Sequence, residues 1–127
     1  MFRKYFTPQE ANKRLPLVKK IVSEILAKGQ TLKKIVTKTP KNQWPPEVPI
    51  LEAEIQVLIA ELEELGCYFK DWNFELGLVD FPSRMDGEEV MLCWRSDEER
   101  LGWYHSLTEG YAGRKPIADV SARKDLN

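Results

Sequence analysis

A thiol, an imidazole and a carboxylate together can support nucleophilic catalysis, and the C-terminal third of this chain offers one candidate of each. Cys93 lies in LCWR, the single histidine His105 in WYHS, and Asp80 in LVDFP. A thiol needs a base to ionise it, and that base needs a carboxylate to orient it. The same residues also have a structural reading. A cysteine inside a strand packs as a small hydrophobe, and a lone histidine among aromatics packs and makes one or two hydrogen bonds. Ligand arithmetic argues against a metal. A structural zinc site uses close-spaced pairs of Cys and His, whereas Cys67, Cys93 and His105 are widely separated. No metal and no cofactor are therefore expected, although His105 with Asp80 keeps a metal-assisted enzyme as an alternative. No G-x-S-x-G, Walker or H-E-x-x-H pattern adds to the enzymatic reading.

Arginines offer a second chemistry. Arg84, Arg95 and Arg114 lie in or beside aromatic segments, and Gly110-x-x-Gly113-Arg114 ends a flexible loop in a planar donor. Arg95 and Arg114, with His105, could grip a carboxylate or phosphate between walls of Trp103 and Tyr111, with Gly110 and Gly113 shaping the loop. The competing role is internal pairing. Arg84 would face Glu89 across a hairpin, Arg95 would lie diagonal to Asp80, and Arg114 has only Glu109 nearby in sequence.

The elements that must position these residues are legible from patterning. The chain has 127 residues, 43% hydrophobic and 31% charged, which is the composition of one globular domain. Thr7-Pro8-Gln9-Glu10 reads as a helix start with a capping box, and Phe6 and Ala11 could form a hydrophobic staple. Ala11, Leu15, Val18, Val22, Ile25, Gly29, Leu32 and Val36 then follow four-three spacing, with Pro16 expected to kink the helix without breaking it. A stiff loop through Pro45-Pro46 leads to a second helix opening at Pro49 and capped by Gly66. Residues 7–66 thus form an antiparallel helical hairpin. The first helix, roughly 30 residues or ~45 Å, outreaches the second, roughly 17 residues or ~26 Å. Ala11, Leu15 and Val18 need another cover, either the C-terminal unit or a second subunit.

Charge is partitioned. Residues 7–41 carry nine Lys/Arg against two Glu, and residues 47–66 carry six Glu and no base. The acidic helix partly neutralises the basic one, so a nucleic-acid partner is not expected. Two unpaired cysteines fit a reducing cytosol. No membrane span is present in the sequence, and no secretory leader is expected at the N-terminus.

From residue 67 the period changes. Residues 67–70 suggest a short strand, and residues 78–84 and 89–95 alternate around Asp86-Gly87, the signature of a tight hairpin. That register puts Val79, Phe81, Leu92 and Trp94 on one face and Asp80, Pro82, Cys93 and Arg95 on the other. Pro82 lacks an amide donor, so its outward edge should be unpaired. A third strand over residues 101–105 would add Leu101 and Trp103 to the apolar face. Residues 67–117 form this β-unit, and residues 118–127 form a polar tail, loosely ordered beyond about Asp119.

Several motifs together resemble one family: F-T-x-x-E-A-N-x-x-L-P at 6–16, G-L-V-D-F-P at 77–82, L-C-W-R at 92–95, W-Y-H at 103–105 and G-Y-A-G-R-K-P-I at 110–117. The chain is similar to the small bacterial proteins grouped as domain of unknown function 2203. That resemblance implies a bacterial, cytoplasmic protein and carries no established activity. It marks Asp80, Phe81, Pro82, Cys93, Trp94, Arg95, His105, Gly110, Gly113 and Arg114 as the pattern positions. The sequence thus predicts a single α+β domain, a long helical hairpin packed on an antiparallel sheet of two to four strands. The leading function is a non-enzymatic interaction or small anionic-ligand-binding domain. The alternatives are a small enzyme using Cys93 or a bound metal with His105 and Asp80, and a purely structural homodimeric module.

Overall fold

A computed structural model of the chain describes residues 2–117. Its first helix, α1 (Pro8–Lys38), begins at the expected capping box. The Thr7 hydroxyl accepts from the Glu10 amide at 3.1 Å, and the Glu10 carboxylate accepts from the Thr7 amide at 2.9 Å. The helix runs on through Pro16, since the buried seam on both sides holds it in place. The second helix, α2 (Glu47–Leu65), starts two residues before Pro49, with Pro46 as N-cap. Gly66 ends it in the left-handed conformation, φ 96°, where a residue lacking Cβ carries no steric penalty. Of the complementary charges on the two helices, one interhelical ion pair forms among the described residues, Lys28 with Glu54 at 3.1 Å.

Five strands follow: β1 (Tyr68–Phe69), β2 (Leu78–Met85), β3 (Glu88–Arg95), β4 (Trp103–Ser106) and β5 (Lys115–Pro116). They pair antiparallel in sequence order. The architecture is therefore α+β as expected, with five strands in place of two to four. The short strand expected at residues 67–70 forms as β1, and the added strand is β5, a two-residue edge too short to leave a period in the sequence. Asp86 and Gly87 both have positive φ, 52° and 83°, the conformation of a type I′ turn. The expected hairpin register holds, with Asp80 opposite Cys93, Phe81 opposite Leu92 and Val79 opposite Trp94.

The third long-range strand corrects the sequence reading. It covers residues 103–106, not 101–105, and pairs Cys93 with Trp103 and Met91 with His105. Trp103 and His105 therefore join Asp80 and Cys93 on the outer face, while Tyr104, opposite Leu92, turns to the core side. The reason is the connection. It spans residues 96–102, two residues more than a strand starting at residue 101 would leave, and is held by Trp94 Nε1 donating to the Glu98 carbonyl at 2.9 Å. Leu101 is buried in the core as expected, but from the loop.

One core joins helices and sheet. Ala11, Leu15 and Val18 are buried together with Phe81, Leu92, Trp94 and Leu101 of the same chain. The C-terminal unit is thus the cover that α1 requires, and this seam gives no reason to invoke a second copy. Asn12 fastens the two units. Its amide accepts from the Leu101 amide at 2.9 Å and donates to the Leu101 carbonyl at 3.1 Å. Phe6 and Ala11 are both buried, and Phe6 meets Phe81 edge-on at 5.3 Å. The edge at Pro82 is not free, because its carbonyl accepts from the Phe6 amide at 2.7 Å. Among the described residues no helix is long and apolar enough to cross a membrane. The expected loosely ordered tail lies outside the described residues.

Candidate functional site

The outer face of the sheet is buried at its centre even though it carries polar groups. Alternation on β2 and β3 sends Asp80, Pro82, Met91 and Cys93 outward, and β4 adds His105; all five are buried. Two segments bound this face. Before α1, the Tyr5 hydroxyl bonds Glu89 at 2.6 Å, the Arg84 guanidinium stacks 3.8 Å over the Tyr5 ring, and Phe2 packs against Tyr68. After β4, Leu107, Gly110 and Tyr111 wall a cavity of about 320 Å³ whose other lining residues include Lys70, Met91, Asp80, Cys93 and His105.

Three of the predicted site residues meet here. His105, Asp80 and Cys93 place one potential ligand atom each within 4.8 Å of one another. His105 Nε2 lies 3.2 Å from Asp80 Oδ1, and His105 Nδ1 lies 2.7 Å from the Ser106 carbonyl. Hydrogen bonding to Asp80, then to Cys93, raises the imidazole from its ordinary 6.5 to about 10, against the opposing effect of burial. At neutral pH His105 is a cation held against the Asp80 carboxylate.

This arrangement differs from a thiol relay. In such a relay one ring nitrogen faces the thiol and the other faces the orienting carboxylate. Here the carboxylate is on Nε2 while Nδ1 is engaged by a backbone carbonyl, so neither nitrogen serves Cys93 alone. Cys93 itself is 1% exposed. The three groups converge on one point and do not form a chain.

The arginines are differently placed. Arg95 bonds Asp97 and the Tyr111 hydroxyl, not Asp80, and both partners hold it more firmly protonated. Arg114 pairs with Glu98, at 2.9 and 2.8 Å to its two oxygens, not with Glu109. It also donates to the Cys93 carbonyl at 3.3 Å and stacks 4.6 Å over Trp103. Glu98 accepts from the Arg95 amide as well, so one carboxylate ties the end of β3 to the 110–114 loop. Arg84 approaches Glu89 at 4.0 Å, the cross-strand pair expected. Gly110 takes φ 66°, and a Cβ at Gly113 would lie 2.6 Å from Glu109 Cβ. Both glycines therefore shape the loop that walls the cavity, while Trp103 lies beneath Arg114, outside the cavity lining.

Sequence reasoning missed Lys70, Leu78, Met91 and Leu107 as cavity walls and Glu98 as the partner of Arg114. Met91 and Leu78 carried a signal, since each is two residues from Cys93 or Asp80 on the same strand. Lys70 did not, because the pairing of β1 depends on the loop between residues 70 and 77. That loop is fixed by Asp71, which accepts from the amides of Asn73 and Leu76, and by Phe74, whose ring covers Gly29.

Searches of curated proteins and of solved structures return no match. One family model covers residues 4–117, including both units of the fold and every residue around the cavity. The chain belongs to the family described as "Uncharacterized conserved protein (DUF2203)".

Proposed function

We propose that the protein is a small-ligand-binding domain whose site is the cavity over Asp80, Cys93 and His105, and that its ligand is a small anion. The observation that carries this is the cavity itself, about 320 Å³ with three buried polar side chains converging in its wall. Its size suits a molecule of modest dimensions. Lys70 and His105 are the cationic groups on its wall and Asp80 the carboxylate, which leaves net positive character. Lys70 therefore takes the anion-donor role assigned to Arg95 and Arg114 from sequence, while His105, its ring nitrogens facing the Ser106 carbonyl and Asp80, balances the Asp80 carboxylate. Those arginines serve as struts, since Asp97 and Glu98 already neutralise them.

A thermal-shift screen of phosphate and small mono- and dicarboxylates tests this proposal. At a hundredfold excess over Kd a ligand adds about 2.7 kcal/mol of stability, a rise of several degrees in Tm for a chain of this size. Leu107→Trp, which fills the cavity from an exposed position, should abolish that rise without unfolding the protein. Absence of any shift across the panel, or a shift that Leu107→Trp leaves intact, would sink the proposal.

A further inference from the structure

We propose that Asp80, Cys93 and His105 form a three-ligand site for a divalent transition metal, zinc by its donor chemistry, with a fourth coordination position open to the cavity. The inference deepens the ligand-binding function above and rests on it only for the occupant of that fourth position.

Distance comes first. Tetrahedral zinc with bonds of about 2.0–2.3 Å to nitrogen, oxygen and sulfur sets its ligand atoms about 3.3–3.6 Å apart. The His105 Nε2 to Asp80 Oδ1 separation is 3.2 Å, and all three ligand atoms fall within 4.8 Å. Small side-chain rotations close the remaining gap. The backbone that carries these side chains is the middle of the sheet: Asp80 lies directly opposite Cys93, and His105 lies one diagonal step away on β4.

Orientation provides an independent argument. The Ser106 carbonyl can only accept, so at 2.7 Å His105 Nδ1 must donate to it. Nε2 then faces a carboxylate oxygen, with a sulfur close by. With Nε2 and the Cys93 thiol deprotonated, as metal binding requires, three acceptors face one point. A proton serves one acceptor pair at a time, whereas a metal ion serves all three. Donation of the second ring nitrogen to a carbonyl is also what fixes the tautomer of a metal-binding histidine.

The donor set selects the ion. A thiolate disfavours magnesium and calcium, and one sulfur, one nitrogen and one oxygen suit borderline zinc. Three protein ligands with a vacant vertex are the pattern of zinc sites that bind an exogenous molecule. Zinc with one carboxylate and one thiolate is formally neutral, so nearby Lys70 leaves the wall positive. The fourth ligand is then a small oxyanion such as a carboxylate.

The test uses the full chain stripped of metal, titrated with zinc against a chromophoric chelator. One zinc per chain is expected, with affinity lowered on the order of 100-fold by Cys93→Ser or His105→Gln. Cys67→Ser, which alters the other buried thiol, should leave affinity unchanged. Cobalt(II) should give a thiolate charge-transfer band that Cys93→Ser abolishes, and saturating acetate should alter its ligand-field bands. Circular dichroism confirms that each variant is folded, and Cys93→Ser, nearly isosteric, keeps the test valid if His105→Gln unfolds. Lack of stoichiometric zinc uptake, or uptake insensitive to Cys93→Ser, overturns the site. If zinc fails while an anion still stabilises the metal-free chain in a Leu107-dependent way, the inference falls and the ligand-binding function stands. Cobalt bands unmoved by acetate overturn the open position.

Discussion

At the scale of the residue, a carboxylate and an imidazole buried side by side must share a proton. In the metal-free protein His105 holds its extra proton to about pH 10, against an ordinary 6.5, chiefly because Asp80 accepts from it. A folded-state value above the unfolded one means that the native state binds more protons between those limits. The stabilisation is complete below about pH 6.5 and is lost as the pH rises towards about 10. Urea denaturation of metal-free protein across that range should show falling stability, and Asp80→Asn should flatten the slope. The thiols make a second prediction. Burial pushes the Cys67 thiol up to about 12, and with Cys67 fully buried and Cys93 1% exposed neither sulfur is open to a reagent. With a thiol reagent near pH 8, both should react more slowly than in the denatured chain. A Cys93 rate above that control would revive the nucleophile.

At the scale of the element, close approach decides what each turn of helix or loop can carry. Gly29 lies in the middle of α1, where alanine would ordinarily gain about 1 kcal/mol in helix propensity. A Cβ there would lie 2.2 Å from the Phe74 ring and 2.8 Å from Phe74 Cβ. Phe74 is itself pinned at φ 60°, and its carbonyl accepts from Gln30 at 3.0 Å, so it cannot simply swing away. Overpacking of this kind costs about 1–3 kcal/mol, so Gly29→Ala should be net destabilising by chemical denaturation. Glu98 plays the equivalent part at the other end of the sheet. Its side chain is 16% exposed and that of Arg114 10%, so Glu98→Gln leaves a mostly buried charge without its counter-ion. A loss of about 3 kcal/mol is expected in the same assay.

At the scale of the whole molecule, the helical hairpin and the sheet are joined through one hydrophobic core. Their shared core covers the N-terminal half of α1, and Asn12 locks the interface with paired bonds to the Leu101 backbone. Asn12→Ala leaves both Leu101 groups short of a partner and should cost about 1–3 kcal/mol. Unfolding should nevertheless remain a single transition, with helical and aromatic signals coincident, because the apolar contacts across the interface persist. Two separate transitions would show that the helices and the sheet are distinct units.

Local physics made much of this protein legible from sequence. Capping at Thr7, the left-handed stop at Gly66 and the Asp86-Gly87 turn each depend on a few adjacent residues, and all three stand where the sequence put them. The tight turn set the β2–β3 register, and that register alone placed Asp80 opposite Cys93. The position of His105 could not be derived in that way. Its face depends on the seven-residue connection after β3, whose course is fixed by Trp94, Glu98 and Asn12, the last from a distant element. A one-residue error in that register turns His105 into the core and Tyr104 outward. Tertiary structure alone therefore brought the imidazole to the carboxylate and thiol, and tertiary structure alone paired Arg114 with Glu98. Contacts between residues far apart in the chain leave no spacing to read, and the candidate site is built from them.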